Sequence, residues 1–461
     1  MTRFAVRAGE GRALVLACLA FFCVLAAYYV IRPVRDQLAG AVGSIALPMF
    51  YAGTFAATLL ITPLFGALVA RLPRRRLLAW SYLFFIVCLI AFVPLFAAQD
   101  RIGARVLGVA FFIWVSVFNL FVVSLFWSLM ADICSSERAR RLFPLIAIGG
   151  TAGAIAGPLL TSLLVQTIGV AALLLVSAGL LGAGLVGMLM LSAGVGGQAA
   201  VGASLAPTGR AAGGAAQDEA PIGGSLLAGV RQVLTRPFLR NMALLMLLSD
   251  GVGTVAYAFV ADYAKAHFLG NAARTAFYAH LDLATNTLVV LLQLAPTRWL
   301  LARRGPAACV VAWATINVLL LTWVASAGGV HLPMPWIAVS PDAWPRLIMV
   351  PASLLALMLV VSRGFTYGML KPASDALYTR VEREARYKGK NFIDTAVWRF
   401  GDLTITSALS GLRALGIGLS VLAALSAGAG LLAGWFGWRA AHSRDLAPEP
   451  VDAGRRDQPA M

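Results

Sequence analysis

"AGVGGQAAVGASLAPTGRAAGGAAQDEAPIGG", from Ala193 to Gly224, is rich in Gly, Ala and Pro, carries few charges and keeps no sustained apolar period. A segment with so little to bury reads as a flexible linker, here taken as 194–238. Its flanks are the opposite. About 20 mostly apolar residues carry a helix across hydrocarbon. Such runs lie near 13–31, 45–70, 77–98, 105–130, 142–166 and 170–193 before the linker. After it they lie near 239–262, 276–300, 306–328, 346–370, 391–412 and 416–438. The expectation is an all-α integral membrane protein of twelve transmembrane helices in two six-helix halves. Its parts are 1–193, a cytoplasmic linker at 194–238, 239–440 and a cytoplasmic tail at 441–461.

Composition agrees. With 60% of 461 residues hydrophobic and 12% charged, and a mean hydropathy of +0.82, there is too little polar surface to coat a soluble globule of this length. The first apolar run is too long for a signal-peptide core and no small-residue cleavage pattern follows it, so it is expected to stay as the first helix. Alternate loops hold 27 of the 37 Lys and Arg, against eight on the opposite loops and two, Arg363 and Arg399, inside spans. Short cytoplasmic loops retain basic residues, which predicts that both termini are cytoplasmic, in a bacterial inner membrane. The net charge of +17 is then a topology signal and an attraction to anionic lipid, and nucleic acid is not an expected partner. Cys18, Cys23, Cys88, Cys134 and Cys309 lack CxxC spacing, and the four histidines form no pair at i, i+4. No metal, cofactor or enzyme chemistry is expected, for there is no nucleophile–base constellation and no phosphate-binding loop of the Walker kind.

The six-plus-six layout is similar to that of the major facilitator fold, whose halves rock around a site near the bilayer midplane. The loop "GALVARLPRRRLL", Gly66 to Leu78, resembles that fold's signature Gly-x-Leu-x-Asp-Arg-x-Gly-Arg-Arg, with Ala70 in place of the Asp and Pro73 in place of the second Gly. "RWLLARRGP", Arg298 to Pro306, is a weaker counterpart in the second half. In span 5, "GGTAGAIAGP" sets Gly149, Gly153 and Gly157 four apart before Pro158. Small residues at that spacing let helices approach closely; the alternative is that Gly157-Pro158 belongs to the motif of drug/proton antiporters, whose following Gly-Gly is absent here.

Charges inside spans are costly and are the first candidates for function. "YYVIRPVRDQL" puts Arg32, Arg35 and Asp36 on one helical face, provided the helix passes Pro33 and does not end at Arg32. "AYAFVADYAK" puts Asp262 and Lys265 at i, i+3 in span 7, and helices 1 and 7 hold corresponding places in the two halves, so these residues are expected to face Arg32 and Arg35 across the cavity. Asp250 and Asp282, in or beside spans 7 and 8, are either part of this set or buried polar links between helices. Arg363 lies deep in span 10, whose cytoplasmic end is expected at Lys371 and Pro372. In "YKGKNFIDTAVWRFGD", Tyr387 to Asp402, Asp394 is about one turn into span 11. Arg399 and Asp402 lie about 12 and about 17 Å along it at 1.5 Å per residue. They form either a self-satisfied ion pair or a cavity-lining pair that exchanges partners with substrate.

Four patches of the chain resemble the nucleotide exchange transporters of the ATP:ADP antiporter type, found in obligate intracellular bacteria and plastids, and their bacterial relatives. Arg32, Arg35-Asp36, Leu38, Gly43-Ser44, Pro48 and Phe50 resemble the family's Leu-Arg-x-x-Lys-Asp segment, Arg35 replacing a Lys. "LFWSLMADICSSERARRLFPL", Leu125 to Leu145, is similar to its Phe-Trp through Ala-Lys-Arg-Phe-Tyr-Pro-Leu stretch. "RGFTYGMLKPASDALY" resembles Lys-Tyr-x-x-Phe-Asp-Pro-x-Lys-Glu-x-x-Tyr through Tyr367, Pro372, Asp375 and Tyr378, and "KGKNFID" resembles Lys-Gly-Lys-Ala-Ala-Ile-Asp. The charges depart from the family: Asp402 stands where a Lys belongs, Thr366 replaces a Lys, Ala261 replaces a Glu with Asp262 adjacent, and span 4 offers only Ser116 and Asn119 where an acid belongs.

The resemblance implies a secondary transporter working by alternating access on a small organic anion, with nucleotide exchange the leading specific reading. Polyphosphates favour several converging Arg and Lys donors. The expected substrate-binding set is Arg32, Arg35, Arg363, Arg399, Lys265 and Tyr367; the expected coupling or charge-pairing set is Asp36, Asp262, Asp282, Asp394 and Asp402. The expected partners are the anionic small molecule and the lipid bilayer, with the chain a monomer. The alternatives are proton-coupled transport of another small molecule, with Asp394 or Asp402 as proton carrier, and a membrane receptor or assembly factor that moves nothing.

Overall fold

The computed structural model describes residues 10–71, 73–134, 136–203, 226–327, 354–382, 389–390 and 392–446. Among these residues every regular element is a helix, as expected where no water is available to satisfy backbone N–H and C=O groups. The first half holds α1 (Gly11–Val42), α2 (Leu47–Arg71), α3 (Arg74–Ala97) and α4 (Ala104–Ile133). The helical run Ser136–Ala203 follows, broken at Gly169 into α5 (136–168) and α6 (170–203). The second half holds α7 (Pro237–His267), α8 (Asn271–Leu294), α9 (306–326), α10 (Leu354–Tyr378), α11 (393–414) and α12 (Leu419–Ala441). Gly169, with φ at 79°, makes the turn between α5 and α6, and Gly305, with φ at 76°, separates α9 from the short piece before it. Among the described residues ten helical stretches are long and apolar enough to cross a membrane. One of them, Arg141–Ala193, contains two expected spans, and α11 is the charged helix left over.

Of the two endings open for α1, the structure has the one that the shared face of Arg32, Arg35 and Asp36 requires: α1 continues through Pro33 to Val42. Two boundaries depart from expectation. α10 does not end at Lys371 and Pro372 but runs on to Tyr378. The helix accommodates Pro372 by widening to a π-turn over Thr366–Leu370, and the hydroxyl of Thr297 donates to the Gly368 carbonyl at 2.8 Å. That carbonyl is the one Pro372 has no N–H to satisfy. The expected linker 194–238 is helical at both ends, to Ala203 and over Leu226–Thr235; its middle, 204–225, lies outside the described residues, as do the expected start of span 10 at 346–353 and the tail from 447.

One apolar cluster joins α1 to α3–α6, from Ala17 to Leu191, and another lies wholly in the second half, from Val233 to Ala440. A third closes the halves on each other, with Ala39, Leu47, Phe50 and Phe112 packed among Tyr257, Phe259 and Tyr278. α1 and α5 touch backbone to backbone. A Cβ at Gly149 would lie 2.3 Å from the Cys18 carbonyl oxygen, and one at Gly153 would lie 2.4 Å from that of Phe22. The glycine ladder packs α5 closely against α1, as the packing reading expects.

Candidate functional site

Because α1 passes Pro33 intact, Arg32 and Arg35 are stacked one turn apart and both line a cavity of about 360 Å³ between the halves. α2 and α4 complete the first-half wall with Tyr51, Phe112, Ser116 and Asn119. From the second half come Asp250 and Thr254 on α7, Arg363 and Tyr367 on α10, and Asp394, Trp398, Arg399 and Asp402 on α11. Four of the six expected binding residues are thus its arginines, and Tyr367 is the fifth.

The arginines differ in how they are held. The Arg35 guanidinium is 2.7 Å from Asp36 and lies 4.5 Å over the Phe112 ring. Asp36 does not face the cavity; it is buried between α1 and α7, where the Tyr257 hydroxyl donates to it at 3.1 Å. Arg32 reaches Asp282 of α8 at 3.6 Å, an ion pair between the halves. Arg399 lies 3.7 Å from Asp402 on its own helix, and Asp402 also accepts from the Thr254 hydroxyl at 3.0 Å. Arg363 has no carboxylate within salt-bridge distance among the described residues; its guanidinium lies 5.0 Å over the Tyr257 ring. Asp394 is engaged by Lys371 at 3.0 Å and by Lys390 at 3.8 Å.

Two expected residues are elsewhere. Asp262 and Lys265 do not face Arg32 and Arg35. They sit in the last two turns of α7, and eight residues past Thr254 at 1.5 Å each puts Asp262 about 12 Å beyond the cavity wall. There they clasp the turn that ends α1: the Ser44 N–H donates to Asp262 at 2.7 Å and Lys265 donates to the Val42 carbonyl at 2.9 Å. Arg413 at the end of α11 joins by pairing with Asp262 and donating to the Ser44 hydroxyl at 3.0 Å. Gly43, with φ at 89°, makes that turn, and a Cβ there would meet Lys265 at 3.0 Å and Asp262 at 3.1 Å. At the other end of the bundle every ion pair among the described residues stays within one half.

Sequence reasoning placed Arg413 beyond the end of span 11 and left Asp250 open between a site residue and a polar link between helices. Asp250 lines the same cavity as Asp402, with a carboxyl oxygen 3.7 Å from where a Cβ on neighbouring Gly401 would lie. An acid inside an apolar span was the available signal. Tyr51, Phe112 and Trp398 carry no pattern that separates them from the many aromatic residues facing lipid or core.

No family model matches the chain, and no curated protein matches it in sequence. Its fold has relatives among solved structures. The nucleoside transporter NupG superposes with a TM-score of 0.58 at 14% identity over 94% of this chain and 98% of its own. The POT family transporter PepTSo gives 0.56 at 13% over 94% and 98%. A bacterial homologue of the iron transporter ferroportin, in an inward-facing state, gives 0.56 at 16% over 93% and 98%. The chain has the major facilitator fold. At these identities the likeness is one of fold. In the major facilitator fold the substrate site is built at the interface of the two halves near the bilayer midplane, and the four-arginine cavity occupies such an interface.

Proposed function

We propose that the chain is a multi-pass secondary transporter of a bacterial inner membrane that carries an organic anion by alternating access, and that it exchanges nucleotides. The observation that carries this reading is the convergence of Arg32, Arg35, Arg363 and Arg399 on one cavity bounded by both halves. Guanidinium groups bind phosphate and carboxylate through paired N–H donors. Arg363, without an acidic partner among the described residues, is the first group an entering anion meets at no cost in broken pairs. Arg32 is the coupling group. An anion that takes the Arg32 guanidinium competes with Asp282 for it and loosens an ion pair between the halves. The clasp of Asp262, Lys265 and Arg413 on the α1 turn closes one end of the bundle; with cytoplasmic termini, that end is periplasmic and the cavity faces inward. The basic-residue bias supports the orientation.

A proton-coupled variant has one observation in its favour. Asp250 and Asp402 line the same cavity wall, Asp402 buried, and neighbouring carboxyl groups repel each other when both are ionised. Counterflow in proteoliposomes separates the readings. For exchange, labelled ATP enters only vesicles preloaded with unlabelled nucleotide, with or without a proton gradient. Uptake driven by the gradient into empty vesicles replaces exchange with proton coupling. No uptake under either condition removes the nucleotide reading.

A further inference from the structure

A second, larger cavity of about 660 Å³ adjoins the arginine cavity, and the two share Tyr28, Arg32, Asn119 and Tyr367 as a common wall. Its chemistry is different. Beyond that wall it is lined by aliphatic residues of α4, α5 and α8 with Thr285, Asn286 and Gln293 among them, and Arg32 is its sole charged residue among the described lining. The arginine cavity, by contrast, carries four guanidiniums and three carboxyl groups.

Several polar groups here keep free hydrogen-bonding capacity. Asn286 donates one N–H to the Ala154 carbonyl at 2.6 Å, and its side-chain oxygen is uncommitted. Gln293 donates to the Tyr367 carbonyl at 3.2 Å. Asn119 has no hydrogen-bond partner among the described residues, although it borders both cavities. Tyr28 and Tyr29 stand edge to face at 5.1 Å, and Tyr367 is 41% exposed, which gives the common wall aromatic faces. Amides that donate and accept, set among aromatic faces and aliphatic walls, suit a flat uncharged group with hydrogen-bonding edges. Apart from Arg32 on the common wall, they offer an anion only neutral donors.

We propose that the second cavity is the seat for an uncharged, planar, hydrogen-bonding end of the substrate, whose anionic end lies among the arginines. Asn119 spans the junction and reads that end. The inference rests on the anion reading of the arginine cavity and adds to it a substrate of two unlike ends, one per cavity.

The test compares two probes of similar charge, ATP and inorganic tripolyphosphate, binding to the full-length protein in detergent by titration calorimetry. The wild type is expected to bind ATP about tenfold more tightly than tripolyphosphate. Ala147→Phe fills the second cavity without changing any charge, and is expected to remove that advantage while tripolyphosphate binds as before. Asn286→Leu, nearly isosteric and lining the second cavity but not the arginine cavity, carries the same comparison with a smaller loss of ATP affinity, should the bulkier variant fail to fold. Equal affinity of the wild type for both probes, or equal weakening of both by the variants, overturns the inference and leaves the anion site standing. Binding of neither probe overturns the anion reading and this inference with it.

Discussion

Arg399 and Asp402 pair at 3.7 Å on one helix, but their surroundings differ: the Arg399 side chain is 36% exposed to the cavity and that of Asp402 8%. Removing Arg399 leaves Asp402 with only the Thr254 hydroxyl and adjoining Asp250. Breaking a buried pair costs about 3–5 kcal/mol, and the exposure of Arg399 lowers that to about 1–2 kcal/mol. Arg399→Ala and Asp402→Ala alone are therefore expected to lower the detergent melting temperature more than the two together. If Arg399 meets the anion, the double variant recovers folding but not transport per folded molecule; wild-type transport by the double variant would make the pair purely structural. Arg35 offers a second test. Arg35→Ala leaves buried Asp36 with only the Tyr257 hydroxyl and is expected to lower the melting temperature and to weaken transport per folded molecule at least tenfold, whereas Arg35→Lys keeps part of both, since Lys retains charge but not the paired donors. Arg32 and Arg35 were legible from the sequence because three-residue spacing fixes a shared face once the helix continues. Arg363 was legible as an intramembrane charge. Its freedom from a carboxylate was not, because that depends on which helices pack around α10.

α10 shows how an element absorbs a residue that sequence rules treat as its end. Pro372 marks a stop in a soluble chain, and the helix was expected to end there. In this bundle the Thr297 hydroxyl replaces the missing N–H at the Gly368 carbonyl, a partner 71 residues away that no local pattern reveals. Thr297→Val is expected to cost about 1–2 kcal/mol by leaving that carbonyl unsatisfied. In a Pro372→Ala background the restored N–H takes over, and the same change should cost less than half as much, measured as melting shifts across the four proteins. Equal costs in both backgrounds would show that the hydroxyl does not serve that carbonyl. α7 teaches the reverse lesson. Asp262 and Lys265 have the spacing of a site pair, but face alone does not give depth. The helix begins at Pro237 and runs 31 residues, which carries them past the cavity to the end clasp.

The twelve spans and their division into six and six were legible in the molecule as a whole, because hydrocarbon thickness sets helix length and Gly-rich breaks set the joints. The relation between the halves was not, since it depends on contacts such as Arg32 with Asp282 and Asp262 with Arg413. Tags at either terminus and within 204–225 are expected on one side of the membrane, the cytoplasmic one; a tag in 204–225 cleaved from outside in intact spheroplasts would contradict that topology. In the proposed cycle the clasp is expected to set the equilibrium between the two openings. Asp262→Asn should raise the maleimide labelling rate of Ser44→Cys several-fold, whereas an unchanged rate would mean that the α1 turn is held closed by packing alone. The central claim is that the four-arginine cavity carries the anion. It is tested most directly by exchange of labelled ATP in nucleotide-preloaded proteoliposomes containing equal amounts of folded wild type or Arg363→Gln. The expected result is exchange by the wild type and at least a tenfold loss in the variant, whose melting temperature is unchanged because Arg363 breaks no ion pair when removed. Equal exchange by the two proteins would contradict it.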